Sequence, residues 1–328
     1  MKRIAGVLVL LCVMYGALYA SNDNAFSSGN LIDVANRQGF YGVMTLAAGL
    51  MILSGGIDLS LGSVVALGAI LFGVLMKNGI HPVVALGVTV LAGSFIGLVQ
   101  GLLVNGLKLQ SFLVTLCGMF VFRGLARLMT GGREVGLQQI LEKDNHPEFK
   151  GAIETLKYFL IGKEAPTEEL KFPAMLIVFA IIAVIFGAVL HRTVYGRYWY
   201  AIGYSDQAAR YAGIPVGRYR VVTFVLCSSL AAFAGVLLLL NYGSAKPDNA
   251  AQGYELEAIT GAVLGGVSLR GGEGTMLGMA LGAAVLPLLS NLVTFLEIPN
   301  DVIPVVVGVT LFVGSFVDEW IRRGAAKR

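Results

Sequence analysis

Long apolar stretches alternate along the chain with short polar or glycine-rich breaks. They fall at residues 4–20, 39–54, 60–76, 82–107, 111–130, 172–191, 221–241, 255–267, 273–296 and 301–320. Because roughly 20 apolar helical residues cross the hydrocarbon core of a bilayer, the pattern predicts an all-α polytopic membrane protein with about ten transmembrane helices. The runs 39–54 and 255–267 are the weakest, so either could be a short or broken helix in a protein-lined cavity.

Composition agrees with a lipid environment. Of the 328 residues, 56% are hydrophobic and 13% are charged, with a mean hydropathy of +0.76. Soluble domains carry about 25% charged residues, so a soluble enzyme and a disordered chain are both nearly excluded. The net charge of +4 comes without a basic run interleaved with aromatic residues, so no nucleic acid partner is expected. We expect one transmembrane domain over 1–328.

Two hydrophilic segments suggest an orientation. From Arg133 to Lys171 there are six basic and eight acidic residues, whereas 192–220 holds five arginines against Asp206 alone. Basic loops stay in the cytoplasm. Threading ten spans from a cytoplasmic N-terminus places 131–171 outside and both 192–220 and the basic C-terminus inside. The run after Lys2 and Arg3 resembles a signal peptide, but its length favours an uncleaved first span.

Motifs for covalent or metal chemistry do not occur in this sequence. It contains no phosphate-binding G-x-x-x-x-G-K-[ST] loop, no H-E-x-x-H and no G-x-S-x-G. The three histidines lack metal-ligand spacing, and Cys12, Cys117 and Cys227 lie in apolar runs. We therefore expect no enzyme activity, no metal and no bound cofactor in this chain.

Charged side chains near lipid are the main candidates for function. Asp58 lies between two apolar runs, where it could cap the following helix or face a water-filled path. Glu255 and Glu257 open a short run, where they could stabilise the helix N-terminus or form a polar mouth. Arg123 and Arg127, four apart, could extend to the lipid headgroups or pair with carboxylates.

Glycines four residues apart predict close helix packing. Gly93, Gly97 and Gly101 form one such set, and Gly274, Gly278 and Gly282 form another. Each set would share one helix face and let a neighbouring helix approach the backbone. A short internal similarity also exists, because the sequence at 55–59 resembles that at 265–269. Five positions are too few to establish a repeat.

The segment 192–220 carries the signals of a short capped helix. Ser205 suits the N-cap, Asp206 suits the first turn, and Gly213 followed by Pro215 suits the end. On the pattern alone, this helix could equally be a docking element for a cytoplasmic partner or a simple connector.

Several of these stretches together resemble the membrane subunits of the ribose/galactose/arabinose/xylose-type ABC importers. They occur in the family's order over about 40–315: S54-G-G-I-D-L-S-L-G-S63, L109-Q-S-F-L-V-T-L116, Y195-G-R197, A208-A-R210, G253-Y-E-L-E-A-I259 and G265-G-V-S-L269. The insert 131–171 is longer and more charged than expected for that family.

The resemblance implies a type II ABC importer-like permease in the bacterial inner membrane, with both termini cytoplasmic. It implies a second permease copy, a cytoplasmic ABC ATPase that uses ATP, and a periplasmic sugar-binding protein. It implies that 192–220 is a cytoplasmic coupling loop and that 131–171 is a periplasmic insert. The expected ATPase-coupling residues are Gly196, Arg197, Asp206, Ala209, Arg210, Gly213 and Ile214.

The expected residues of the translocation path and its helix breaks are Gly55, Gly56, Asp58, Ser60, Glu255, Glu257, Gly265 and Gly266. The expected function is passage of a monosaccharide, driven by ATP hydrolysis in the separate subunit. Two alternatives remain open at this point. One is the same architecture carrying a nucleoside, an amino acid or a quorum signal, and the other is a self-sufficient secondary transporter or channel.

Overall fold

The computed structural model describes residues 2–21, 23–142, 146–164, 169–299, 302–309 and 312. The helices of this part up to residue 295 are α1 (Lys2–Ser21), α2 (Ser28–Leu53), α3 (Leu61–Lys77), α4 (Pro82–Gly106), α5 (Ser111–Thr130), α6 (Leu137–Glu142), α7 (Lys150–Ile161), α8 (Ala174–Arg192), α9 (Val194–Tyr204), α10 (Asp206–Tyr211), α11 (Val216–Tyr242), α12 (Tyr254–Leu264), α13 (Met276–Gly282) and α14 (Val285–Phe295), and residues 303–309 are also helical. Most of the predicted run 301–320 lies outside the described residues.

Four two-residue strands correct the all-α expectation in detail. They are β1 (Val135–Gly136), β2 (Lys163–Glu164), β3 (Glu169–Leu170) and β4 (Ser244–Ala245). β1 pairs antiparallel with β4, and β2 pairs antiparallel with β3. All four lie in or against the insert 131–171, so the apolar body of the molecule is helical as predicted.

Helix α11 is the centre of the bundle. On one side, added β-carbons at Gly93 and Gly97 of α4 would overlap its backbone, and Gly101 packs against Val221. The predicted packing face of α4 is therefore confirmed. On another side, α3 and α11 cross at Gly68 and Gly235, each of which faces the backbone of the other helix. Small residues let these helices approach closely, as membrane helices require.

Five helical segments in the described part are long and apolar enough to cross a membrane: Pro82–Gly106, Ser111–Thr130, Ala174–Arg192, Val216–Tyr242 and Met276–Phe295. Gly6–Ala20 and Leu61–Lys77 are shorter apolar helices. The prediction of about ten spans is not confirmed by length and composition.

The two weak runs behave differently. The run 39–54 is not a partial helix, because α2 extends continuously over 26 residues from Ser28 and its second half is buried. In contrast, 255–267 contains the short α12 of 11 residues, which at 1.5 Å per residue crosses only about half of a bilayer. The run 273–296 is also broken, with α13 ending at Gly282 and α14 starting at Val285.

The second predicted glycine face is only partly right. A β-carbon at Gly278 would overlap the carbonyl oxygen of Gly265, and one at Gly282 would overlap that of Gly261. These two glycines therefore pack α13 against α12. Gly274, however, precedes α13 and contacts Val267, so it does not belong to the helix face.

The insert is folded onto the ends of the bundle. Its strand β1 pairs with β4, and the Nδ2 of Asn36 in α2 donates to the carbonyl of Ile161 at 2.6 Å. The His146 ring lies 3.2 Å from the carbonyl of Lys77 and 3.0 Å from Glu148. The backbone N–H of Glu148 and the His146 ring together hold the pKa of the Glu148 carboxyl below its usual value.

The bundle has two distinct faces. The arginine-rich face carries α9, α10 and the start of α11, and it includes Arg192, Arg197, Arg210, Arg218 and Arg220. The insert face carries 131–171 and the strand β4. Helix α11 runs from the first face to the second over 27 residues, which is about 40 Å at 1.5 Å per residue.

The packing of α4 on α11 generates a stability prediction. Gly97→Ala should lower the melting temperature, because its methyl group would overlap the carbonyl of Phe224, and overpacking typically costs about 1–3 kcal/mol. Gly87→Ala, in the same helix with open space around its α-carbon, should leave the melting temperature unchanged or raise it. Thermal unfolding of the detergent-solubilised protein measures both. Equal effects of the two substitutions would contradict this helix pairing.

Candidate translocation and coupling site

Three separate chain segments meet at a junction made of glycine backbone. We call this the glycine junction, formed by Leu53–Gly55, Gly203 and Gly271–Gly272. The N–H of Gly272 donates to the carbonyl of Leu53 at 2.9 Å, and the backbone of Gly203 packs against both groups. A β-carbon at Gly203 would overlap both the Leu53 oxygen and the Gly272 nitrogen. No side chain fits between these three backbone segments.

The junction joins the predicted coupling segment to both predicted helix breaks. Gly203 lies in the last turn of α9, Gly55 follows α2, and Gly271 lies in the connection from α12 to α13. The Tyr200 hydroxyl of α9 adds a hydrogen bond to the carbonyl of Gly274 at 2.8 Å. A displacement of α9 would therefore be transmitted by direct contact to the end of α2 and to the connection between α12 and α13.

The two helices that precede the breaks, α2 and α12, end in the same kind of cap. Gly55, with φ of +81°, donates to the carbonyl of Ile52, and Gly56 donates to that of Met51. Gly266, with φ of +87°, and Val267 donate in the same way to Val263 and Ala262. This pair of bonds is the Schellman motif, which needs a left-handed residue that glycine adopts without strain. The left-handed residue is the first glycine of the pair 55–56 but the second glycine of the pair 265–266. The two similar sequences therefore do not have the same conformation at matching positions.

Asp58 does not cap α3 as the sequence suggested. Its Oδ1 accepts hydrogen bonds from the Ser60 N–H at 2.8 Å and the Ser60 hydroxyl at 2.6 Å. Ser60 is itself the N-cap residue of α3, so Asp58 orders the connection before the helix. The Nε2 of Gln100 in α4 donates to Ser60 Oγ at 2.9 Å. Asp58, Ser60 and Gln100 are all buried, and they form one polar chain from α4 to the break.

Helix α5 holds the same connection from the other side. The N–H of Ile57 donates to Ser111 Oγ at 3.3 Å, and the N–H of Leu59 donates to Thr115 Oγ1 at 3.1 Å. Ser111 and Thr115 are one helical turn apart, so both hydroxyls point the same way. They satisfy backbone donors that the helix break leaves without partners. The break is thus an ordered element.

The segment before α12 enters the interior of the bundle. After β4, the chain reaches Ala251, whose carbonyl would lie 2.7 Å from a β-carbon added at Gly62 in the first turn of α3. Arg123 of α5 donates to the carbonyl of Ala250 at 2.5 Å, and Arg127 pairs with Asp248 at 2.7 Å. Of the two roles considered for these arginines, the structure shows pairing with protein groups.

Glu255 and Glu257 lie in the first turn of α12, as predicted, but they face different groups. The Glu255 carboxylate lies over Gly62 and within electrostatic range of Arg123. Glu257 faces the hydroxyl of Tyr41 in α2. Glu255 is therefore close to a cation, whereas Glu257 has a hydroxyl group as its neighbour.

Helix α10 is short, exposed and tightly terminated. Ser205 Oγ accepts from the N–H of Ala208 at 3.2 Å, which confirms the predicted N-cap. Gly213, with φ of +79°, donates to the carbonyl of Arg210, and Ile214 donates to that of Ala209, forming a third Schellman motif. Asp206 pairs with Arg210 and, across to α11, with Arg220, both at 3.2 Å.

The predicted coupling residues divide into internal and external ones. Ala209 is buried against Ile202 and Val216, with Ile214 packed beside them. Gly196 is also internal, because a β-carbon there would overlap the carbonyl of Leu190 at the end of α8. Arg197 and Arg210 are exposed. The sequence predicted one helix in 192–220, whereas the structure has α9 as well as α10.

Sequence reasoning missed several residues that complete the site. No role is predicted from the sequence for Gly203, Gly271 or Gly272. The sequence did not identify Gln100 and Tyr41 as site residues, because a single polar residue in an apolar run does not reveal which helix it faces. Within the described residues, no group of three or more His, Cys, Asp or Glu side chains could hold a metal ion.

Closely packed apolar helices, an exposed helix on the arginine-rich face and ordered breaks inside the bundle are the features of a membrane permease. The chain belongs to the family described as branched-chain amino acid transport system / permease component, which it matches over residues 30–314. Members of this family are transport subunits, and the ATPase that drives such a subunit is a separate chain.

Individual relatives are import permeases. The chain is 30% identical over 311 residues to the ribose import permease protein of Escherichia coli (strain K12), covering 95% of this chain and 92% of the relative. It is 32% identical over 309 residues to a fructose import permease protein of Bifidobacterium longum, covering 94% and 86%. It is 28% identical over 336 residues to an autoinducer 2 import system permease protein of Yersinia pseudotuberculosis, covering 99% and 96%. No solved structure matches the chain.

The glycine junction generates the second prediction. Gly203→Ala should lower the melting temperature and speed tryptic cleavage at Arg197 and Arg210, because the added methyl group forces α9 away from Leu53 and Gly272. Gly124→Ala in α5, where the α-carbon faces open space, is the matched control and should change neither quantity. Wild-type stability and wild-type cleavage of Gly203→Ala would show that the junction is not closely packed.

Proposed function

We propose that this chain is the membrane-spanning subunit of a bacterial ABC importer and forms the translocation path for a monosaccharide or a closely related polar solute. The relatives that are ribose and fructose import permeases support a sugar. The family description mentions branched-chain amino acids, so an amino acid is the second candidate. The autoinducer 2 relative supports a third, a small signal molecule.

The arginine-rich face is the cytoplasmic one in this proposal. It holds five arginines around α9 and α10, and positively charged loops are retained in the cytoplasm. The insert face then faces the periplasm, where a solute-binding protein would deliver its cargo. Both termini would be cytoplasmic, and the chain would span the inner membrane several times.

Helix α10 is the proposed docking site for the ATPase. Tyr204 and Tyr211, at its two ends, are 81% and 83% exposed, whereas Ala209 ties the helix to α9 and α11. Such a helix can receive a partner on one side and transmit force through the other. This sequence contains no phosphate-binding loop, so ATP would be hydrolysed by the docked subunit.

The observation that carries the proposal is the glycine junction. ATP binding would move α10, the movement would reach Gly203 through α9, and Gly203 would displace the end of α2 and the α12–α13 connection together. The helix breaks near Asp58 and Ser268 lie next to these two points. A second copy of the chain would complete the path. Movement of these segments would open the path alternately to the periplasm and to the cytoplasm. The path needs only weak affinity, since a tight site would slow release of the solute.

The end of α10 provides a direct test of coupling. Gly213→Pro should abolish ATP-driven uptake of labelled ribose or fructose in reconstituted vesicles while the protein still inserts. Proline fixes φ near −65° and has no N–H, so both the left-handed conformation and the bond to Arg210 are lost.

Gly213→Asn is the matched control, because asparagine adopts the left-handed conformation more readily than most residues and keeps its N–H. It should retain most of the uptake. Normal uptake by Gly213→Pro at normal membrane levels would contradict the coupling role. Uptake of leucine but of neither sugar, by the wild-type assembly, would favour the amino-acid candidate.

A further inference from the structure

Helices α4 and α11 leave a groove along one side of their contact. Gly93 and Gly97 of α4 face the backbone of α11 directly. Beside these glycines, the hydroxyl groups of Ser94 and Ser229 form a hydrogen bond at 2.8 Å. Both serines lie in the middle part of their helices, so this serine pair marks one end of the groove halfway through the bundle.

Helix geometry shows where the groove leads. An α-helix makes about three turns in eleven residues, so residues eleven apart lie on the same face. Arg218 lies eleven residues before Ser229 in α11, and Asn105 lies eleven residues after Ser94 in α4. These two ends are in contact, because a β-carbon added at Gly217 would overlap the side chain of Asn105. The groove therefore runs from the serine pair to the first turn of α11.

The groove is as deep as one leaflet of a bilayer, and its walls are apolar. From Ser229 to Arg218 it is about 16 Å long at 1.5 Å per residue, and a hydrocarbon core is about 30 Å thick. Leu98, one turn from Ser94, is 39% exposed, and Val222, one turn from Arg218, is 46% exposed. These walls suit one acyl chain of a lipid.

The end of the groove opposite the serine pair is cationic. Arg218, in the first turn of α11, and Lys108, in the turn that follows α4, are both exposed. In the part of the chain that the structure describes, neither side chain has an ion-pair or hydrogen-bond partner. Arg210 and Arg220, in contrast, both pair with Asp206. Two positive charges at the groove end are thus available to an anion.

An aromatic cluster places this end at the depth of the lipid headgroups. Tyr219, the residue after Arg218, has ring centroids of Tyr195, Tyr198 and Trp199 at 6.2, 5.3 and 6.3 Å. Tyrosine and tryptophan are enriched where a membrane protein crosses the boundary between hydrocarbon and water. The cations therefore lie beside the headgroups, and the apolar walls extend from them into the hydrocarbon.

We propose that the groove between α4 and α11 binds an anionic phospholipid, with the phosphate at Arg218 and Lys108 and one acyl chain along Leu98 and Val222. A guanidinium can donate two parallel hydrogen bonds to phosphate oxygens, and the lysine adds a point charge. An acidic protein segment would match the charges but would not fill an apolar groove one leaflet deep. The inference goes beyond the proposed function. Only its assignment to the cytoplasmic leaflet rests on the orientation proposed above.

Native mass spectrometry of the full chain, with phosphatidylglycerol and phosphatidylethanolamine as probes, tests the headgroup contact. The wild type should bind phosphatidylglycerol more tightly than the zwitterionic lipid. Arg218→Gln should weaken phosphatidylglycerol binding about fivefold, because one cation near an anionic lipid contributes about 1 kcal/mol. Lys150→Gln, which removes an equally exposed charge on the insert, is the matched control and should bind like the wild type.

A second pair of variants tests the acyl-chain contact without changing charge. Val222→Trp should fill the groove and weaken phosphatidylglycerol binding, whereas Val184→Trp on α8, at a position 72% exposed, should not. Equal affinity of the wild type for the two lipids, or wild-type affinity in both Arg218→Gln and Val222→Trp, would overturn the proposal. Dissociation of a dimer by Val222→Trp with unchanged lipid binding would also overturn it, since the groove would then be an interface between copies. Loss of a copurifying ATPase from Arg218→Gln with unchanged lipid binding would assign the cation to a protein partner instead.

Discussion

Close contact between stretches of bare backbone is the constraint on which the rest of this structure depends. At the glycine junction, Leu53–Gly55, Gly203 and Gly271–Gly272 touch without any side chain between them. Flexible side chains could absorb a displacement, whereas packed backbone cannot. The α9–α10 segment is therefore in direct mechanical contact with the end of α2 and with the connection between α12 and α13. The same principle arranges α11 against α3 and α4, where glycines face backbone on both sides.

Helix breaks inside a membrane are possible only where every backbone group finds a partner. The break after α2 meets this condition with hydroxyl groups from Ser111 and Thr115 and with the carboxylate of Asp58. The segment before α12 meets it with Arg123, which donates to two backbone carbonyls. Asp58 and Arg123 thus stabilise irregular backbone. Glu257 differs from them, because its buried Oε2 has no hydrogen-bond partner among the described residues.

The sequence predicts the membrane class, most helix positions and the capped helix α10, because apolar length and capping residues act locally. It also predicts the α4 packing face, since spacing of four residues fixes which side of a helix a glycine lies on. It also marks 255–267 as a short or broken helix, and α12 is only 11 residues long. It offers the same alternative for 39–54, which instead belongs to the continuous 26-residue α2. It leaves open whether Asp58 caps α3 or faces a water-filled path, whereas in the structure the Asp58 carboxylate accepts hydrogen bonds from the N–H and the hydroxyl of Ser60.

Other failures arise from long-range contacts. Gly203 and Gly272 are far apart in the chain, and nothing in either local pattern shows that they meet. Tyr41 lies in a run that reads as plain core, so its place beside Glu257 requires the fold. A resemblance to a known family supplies which segments belong together in function. It does not supply the contacts by which they act on one another.

The most direct test of the account is a site-specific photo-crosslink at position 207, on the exposed side of α10. With the crosslinker at Gln207, illumination of native membranes should capture a protein that contains a phosphate-binding loop, identified by mass spectrometry. The same crosslinker at Glu154, on the insert, should capture no such protein. Capture of the ATP-hydrolysing subunit from position 154 but not from position 207 would contradict both the orientation and the coupling role of the arginine-rich face.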